Sequence, residues 1–66
     1  MQACYGKILK NARKARKKTQ EQVAEFLNIS TAAYQTWEAG TYRADEYSLL
    51  ELEKYLEDDN LAINYL

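Results

Sequence analysis

Thr19-Gln-Glu-Gln-Val-Ala-Glu-Phe-Leu-Asn-Ile-Ser-Thr-Ala-Ala-Tyr-Gln-Thr-Trp-Glu-Ala-Gly40 is the stretch whose reading decides the fold. Thr19 followed three residues later by Gln22 is a capping box. The hydroxyl accepts from the first turn and the amide reaches back. Val23, Ala24 and Leu27 recur at helical spacing and give this first helix one apolar face. Asn28 readily takes the left-handed conformation that stops a helix, and Ile29 can plug the corner behind it. Ser30 restarts the chain as an N-cap. Ala33, Tyr34 and Trp37 form the next inward face, and Gly40 closes the second helix. Two short helices joined by a tight turn make a helix-turn-helix unit over 19–40, with a second helix sized for a DNA major groove.

Working outward, residues 5–16 predict a preceding helix with Tyr5, Ile8, Leu9, Ala12 and Arg16 on one stripe. Its basic residues lie off that stripe and run into Arg16-Lys17-Lys18. On the other side, Asp45 is expected to cap a helix over about 46–57, with Ser48 in its first turn and Leu49, Leu52, Tyr55 and Leu56 inward. Its outer side, Glu46, Glu51, Glu53 and Glu57, is acidic and should face away from DNA. The tail, 57–66, ends in Leu61-Ala-Ile-Asn-Tyr-Leu66, too apolar for a solvated end. It can form a fifth helix or a short strand, and serve as core cover or as a dimer contact.

Sixty-six residues suit one small domain spanning 1–66, near the lower limit for a core that stands alone. Two glycines, no proline and 47% hydrophobic residues favour an all-α globule of four or five short helices. No run approaches the ~18 apolar residues of a membrane span, and no signal-peptide pattern opens the chain, so a cytoplasmic protein is expected. A lone Cys4 and the absence of His leave no disulfide, no metal-ligand set and no nucleophile paired with a base. No catalytic activity, cofactor or metal is therefore expected.

The net charge of −1 hides an asymmetry. Residues 1–30 carry seven basic side chains (Lys7, Lys10, Arg13, Lys14, Arg16, Lys17, Lys18) against Glu21 and Glu25, a net of +5. Residues 31–66 carry Arg43 and Lys54 against eight acids, a net of −6. Such a split suggests that one end meets a polyanion.

Thr19, Gln20, Glu21, Val23, Ala24, Leu27, Ile29, Ser30, Tyr34, Trp37, Glu38 and Gly40 together resemble the Cro and lambda-repressor group, the XRE family, of helix-turn-helix DNA-binding proteins. The likeness continues through Leu49, Leu50, Leu52 and Leu56 and back into residues 7–18. It implies a compact lambda-repressor-like domain with Val23, Ala24, Leu27, Ile29, Tyr34, Trp37 and Glu38 as the structural core of the motif. Glu38 would pair with a basic residue on the first helix, Arg13 or Arg16. The resemblance further implies that Thr31, Ala32, Gln35 and Thr36 read bases. Their chemistry suits this: Gln35 can bond adenine bidentately, and Ala32 or a threonine methyl can touch thymine. Phosphate contacts are implied for Gln20, Arg16, Lys17 and Lys18, and for Thr41, Tyr42 and Arg43 in the following loop.

The chain also departs from that pattern. Phe26 stands where a polar or aliphatic residue is usual, and can pack on the first helix or meet a second subunit. Ala44 replaces a frequent proline, and Glu57-Asp58 replaces a usual Gly-Val. Small members of this family are similar to Cro, which points to a dimeric repressor of an inverted-repeat operator, nucleoid-associated and without a small-molecule ligand or membrane partner. The alternative is a protein-interaction module on the same fold, such as an antitoxin or a phage inhibitor of a host protein.

Overall fold

The computed structural model describes residues 5–65, except the side chains of Tyr5 and Asn64. The readings made on Cys4, on the Tyr5 side chain and on Leu66 lie outside the described residues. Five helices follow one another: α1 (Tyr5–Ala15), α2 (Gln20–Leu27), α3 (Thr31–Ala39), α4 (Glu46–Tyr55) and α5 (Leu61–Tyr65). Among the described residues there is no strand.

Local chemistry sets the boundaries. Thr19 and Gln22 form the reciprocal capping box of α2, with Thr19 Oγ1 accepting from Gln22 N at 3.0 Å and Gln22 Oε1 accepting from Thr19 N at 2.8 Å. Asn28 ends the helix at φ 60°, and Ile29 N returns to the Ala24 carbonyl at 3.0 Å. Ser30 caps α3 through Ala33 N, and Gly40 closes it at φ 83°. Asp45 caps α4, accepting from Ser48 N and from the Ser48 hydroxyl. Lys17 and Glu57 adopt φ 57° and 54° just past α1 and α4, so two long side chains occupy the left-handed position that glycine fills at least cost.

The core is one cluster drawn from every helix: Leu9, Ala12, Val23, Ala24, Tyr34, Leu49, Leu52, Leu56, Leu61, Ala62 and Tyr65, with Ala44 from the loop. Ile8, Leu27, Ile29, Trp37 and Tyr55 pack around it half-buried. α1 lies against α3 and α5, α2 against α3, and α4 against α5. The α1–α3 approach is close enough that a Cβ on Gly6 would collide with the Glu38 backbone carbonyl. Glycine is required there by space, not by φ.

The tail forms α5 and serves as core cover: Leu61, Ala62 and Tyr65 are buried, while Ile63 is exposed. Three expectations change. Phe26 packs on α4, not α1, its ring stacked on Tyr55 with centroids 4.2 Å apart, because α2 touches α4 along this side. Glu53 leaves the acidic outer face and accepts from Ala62 N at 2.8 Å, capping the start of α5. Helix α4 ends at Tyr55, since Glu57 turns left-handed and breaks the ladder.

Candidate nucleic-acid interface

The helix-turn-helix is tied together from behind by a buried ion pair. Arg13 Nε donates to Glu38 Oε2 at 2.6 Å, with the two side chains 11% and 6% exposed. A second guanidinium nitrogen reaches Glu38 Oε1 at 3.2 Å, and a third donates to the Lys18 carbonyl at 2.9 Å. One arginine therefore fastens α1, the connection into α2 and the last turn of α3.

Burial by itself would raise the Glu38 pKa, but hydrogen bonds led by Arg13 outweigh it and hold the carboxyl below its ordinary value. The same bond to Glu38 holds Arg13 above its ordinary value, against the effect of burial. The Tyr34 hydroxyl is enclosed beside this pair without a hydrogen bond of good geometry, and burial pushes its pKa upward.

From Glu38 the network runs outward. Gln20 Nε2 donates to Glu38 Oε1 at 3.0 Å, and Gln20 Oε1 accepts from Gln35 Nε2 at 3.0 Å. Gln20 lies in the first turn of α2, at the positive end of the helix dipole. Gln35 lies on the exposed side of α3. The chain Arg13–Glu38–Gln20–Gln35 thus links a buried charge pair to a side chain in solvent.

Along α3, Ala32 and Gln35 are exposed, Thr31 and Thr36 are half-buried, and Tyr34 is fully buried. The Thr36 hydroxyl donates to the Ala33 carbonyl at 2.6 Å, which leaves its oxygen as an acceptor and its methyl as the apolar contact. Tyr34 and Trp37 meet edge-to-face with centroids 5.9 Å apart, on the core side of the helix. The four residues expected to read bases therefore occupy the side of α3 away from its two aromatics.

The basic residues divide. Lys17 is exposed in its left-handed turn, and Lys18 places its ammonium 5.2 Å from the Tyr55 ring centroid. Arg16 is committed within the fold, with Nε on the Leu56 carbonyl at 2.9 Å, Nη2 on the Glu57 carbonyl at 3.3 Å, and the Glu57 carboxylate at 3.6 Å. It caps the end of α4, where a cation complements the helix dipole.

In the loop after α3, Thr41 and Tyr42 are anchored by their backbone N–H groups to the Thr36 carbonyl, and their side chains are exposed. Arg43 lies over the Tyr65 ring at 5.4 Å. Tyr65 and Arg13 are the two contributors that local sequence signals assign least well. Tyr65 reaches the loop across 21 residues and Arg13 reaches Glu38 across 25.

No metal-ligand cluster occurs among the described residues, and none of their helices is long and apolar enough to cross a membrane. Comparison with curated proteins finds no match, and comparison with solved structures finds none either. A family model described as helix-turn-helix matches residues 9–57, from the middle of α1 past the end of α4. The chain belongs to that family, the Cro and lambda-repressor (XRE) type of DNA-binding transcription regulators.

Proposed function

We propose that this chain is a Cro-like repressor that binds an inverted-repeat operator as a dimer. The observation that carries the reading is the Gln20–Gln35 hydrogen bond backed by Glu38 and Arg13. It couples a helix start suited to phosphate with a helix side suited to base edges, so that docking on the backbone sets the register of base reading. Thr31, Ala32, Gln35 and Thr36 read bases in this account. Gln20, Lys17, Lys18, Thr41, Tyr42 and Arg43 meet phosphates, and Arg16 contributes charge while holding α4. No Arg or Lys lies on α3, so affinity rests heavily on the backbone contacts and a second half-site multiplies it.

The second copy is assigned to the outer side of α4. Phe26 is stacked on Tyr55 though still 41% exposed, and Leu61, Ala62 and Tyr65 are spent on the core, leaving Ile63 of α5 exposed. Among the described residues, α4 alone presents two large exposed apolar side chains on one helix, Tyr47 and Leu50, 72% and 47% exposed. Glu46 and Lys54 stand four residues either side of Leu50. An antiparallel α4 pair centred on Leu50 would set Lys54 of each copy opposite Glu46 of the other, twice. Two apolar residues per copy make a small contact, so the dimer forms chiefly on DNA.

The test is selection of bound duplexes from a random DNA pool, followed by a salt titration on the enriched sequence. An inverted repeat with half-sites about one helical turn apart, bound more weakly as salt rises, is expected. Absence of enrichment would sink this reading. It would favour the protein-interaction reading, for which the same Tyr47–Leu50 stripe, edged by acids, is the surface to examine.

A further inference from the structure

Helix α5 lies beyond residue 57, where the family match ends, yet its last residue enters the loop that follows α3. The Tyr65 side chain is buried, with 3% of the residue exposed. Its hydroxyl oxygen accepts from the Ala44 N–H at 2.8 Å, and this bond is buried. The Arg43 guanidinium lies 5.4 Å from the centroid of the same ring. One side chain therefore holds two consecutive loop residues, Arg43 by its π face and Ala44 by its hydroxyl. Asp45, the next residue, is the N-cap of α4.

We propose that Tyr65 is a positioning residue for DNA binding: it fixes the 40–45 loop so that Arg43 and its neighbours are ordered before a backbone phosphate arrives. The proposal rests on the reading of this loop as a phosphate clasp.

Two physical arguments support it. A loop left untied must be ordered when it binds, and that entropy is subtracted from affinity. Here the loop is tied at its start by Thr41 and Tyr42 to the Thr36 carbonyl, and at its far end by Ala44 to Tyr65. A guanidinium held against a ring face also gives up rotamer freedom in the free protein, so less is lost when phosphate binds. The Ala44 bond needs a backbone N–H, which a proline at this position would lack. The chain thus replaces ring stiffness inside the loop with a tether from α5, and residues outside the helix-turn-helix match gain control over its affinity.

The experiment measures affinity for the selected operator duplex across a salt series for the full chain and for Tyr65→Phe and Arg43→Ala, at a temperature where melting curves show each variant folded. Arg43→Ala should weaken binding and reduce the slope of log affinity against log salt by about one, as for one lost phosphate contact. Tyr65→Phe keeps the ring and loses the Ala44 bond. It should weaken binding about three- to tenfold with the salt slope unchanged, the signature of a contact retained but less well prepared. Loss of melting temperature alone, with wild-type affinity for Tyr65→Phe and a clear defect for Arg43→Ala, would overturn the tether and leave the clasp standing. No defect in Arg43→Ala would overturn the clasp reading and the tether with it. Should Tyr65→Phe fail to fold, amide exchange of Ala44 in the unaltered protein decides. Protection comparable to the core amides supports the proposal, and exchange at the rate of an unprotected loop amide overturns it.

Discussion

The guanidinium of Arg13 and the carboxylate of Glu38, 2.6 Å apart and nearly sealed from solvent, join the last turn of the first helix to the last turn of the third. A buried pair adds little net stability over apolar packing, but removing one partner strands the other charge in a low-dielectric site. Arg13→Ala is therefore expected to cost about 3 kcal/mol or more, a large fraction of the stability of so small a domain. Urea denaturation of the variant checks this. A loss below about 1 kcal/mol would mean that water reaches Glu38 and that the pair is not sealed.

Acid should expose the same pair. Glu38 is held below its ordinary carboxylate value, so the folded form binds its proton less readily than the unfolded chain does. Its stabilisation is fully present above the unfolded pKa and is lost as pH falls through the depressed folded value. Asp45 acts in the same direction through its hydrogen bonds from Ser48. Thermal melts should thus be flat near neutrality and fall below about pH 4.5, the unshifted value for Glu38. Glu38→Gln should lower the plateau and flatten the acid limb. An acid limb identical to wild type would contradict the assignment.

Gly6 faces the backbone of Glu38 where no side-chain atom fits. Gly6→Ala improves helix propensity by about 1 kcal/mol in an exposed helix, yet here it must push α1 away from α3. A net destabilisation of about 1–3 kcal/mol is expected from overpacking against backbone. A melting temperature equal to or above wild type would show that the two helices can separate freely.

Lys17 offers a case in which stability and binding move apart. Its φ of 57° is costly for a side chain with a Cβ, and Lys17→Gly removes that strain while raising the entropy of the unfolded chain. The net expectation is a gain of about 0.5 kcal/mol in stability. If Lys17 meets a phosphate, the same variant should bind the operator more weakly, with a salt slope smaller by about one. A variant that melts lower would refute the strain argument, whatever its affinity.

Gln20 and Gln35 should differ in kind. Gln35→Ala is expected to relax the preference at one base position by about 1–3 kcal/mol and to leave other positions unchanged. Gln20→Ala should weaken binding to all sequences and also blur that same position, because Gln35 loses the partner that aims it. Competition binding with a panel of single-base operator variants separates the two. Independent, additive effects would mean that the hydrogen bond between them is not kept on DNA.

Much of the fold was legible because its signals are short-range. The Thr19–Gln22 box, Asn28, Ser30, Gly40 and the Asp45–Ser48 cap each act within about one helical turn, and all of them form. The inward faces of α2, α3 and α4 followed from 3.6-residue periodicity, so Val23, Ala24, Tyr34, Leu49 and Leu52 were named as core from spacing alone. Where Glu57 replaces a usual glycine, the chain still turns left-handed, and the Asp58 N–H closes the turn on the Glu53 carbonyl at 3.0 Å.

The sequence by itself determined four helical segments, the caps of α2, α3 and α4 and the apolar faces of those three helices, since these depend on neighbours about one turn away. It left the tail as either a fifth helix or a strand. Only the tertiary structure decided which arginine meets Glu38. Arg13 in the last turn of α1 and Arg16 just past its end lie about one turn apart, and the packing of the helices brings the first to Glu38 and the second to the end of α4. It likewise decided that Phe26 stacks on Tyr55, that Glu53 caps α5, and that Tyr65 reaches Ala44. Those contacts span 9 to 29 residues of chain, taking Ala62 back to Glu53 and Tyr55 to Phe26 at the extremes. They are set by how helices cross in space, and residue periodicity along one helix carries no record of that angle.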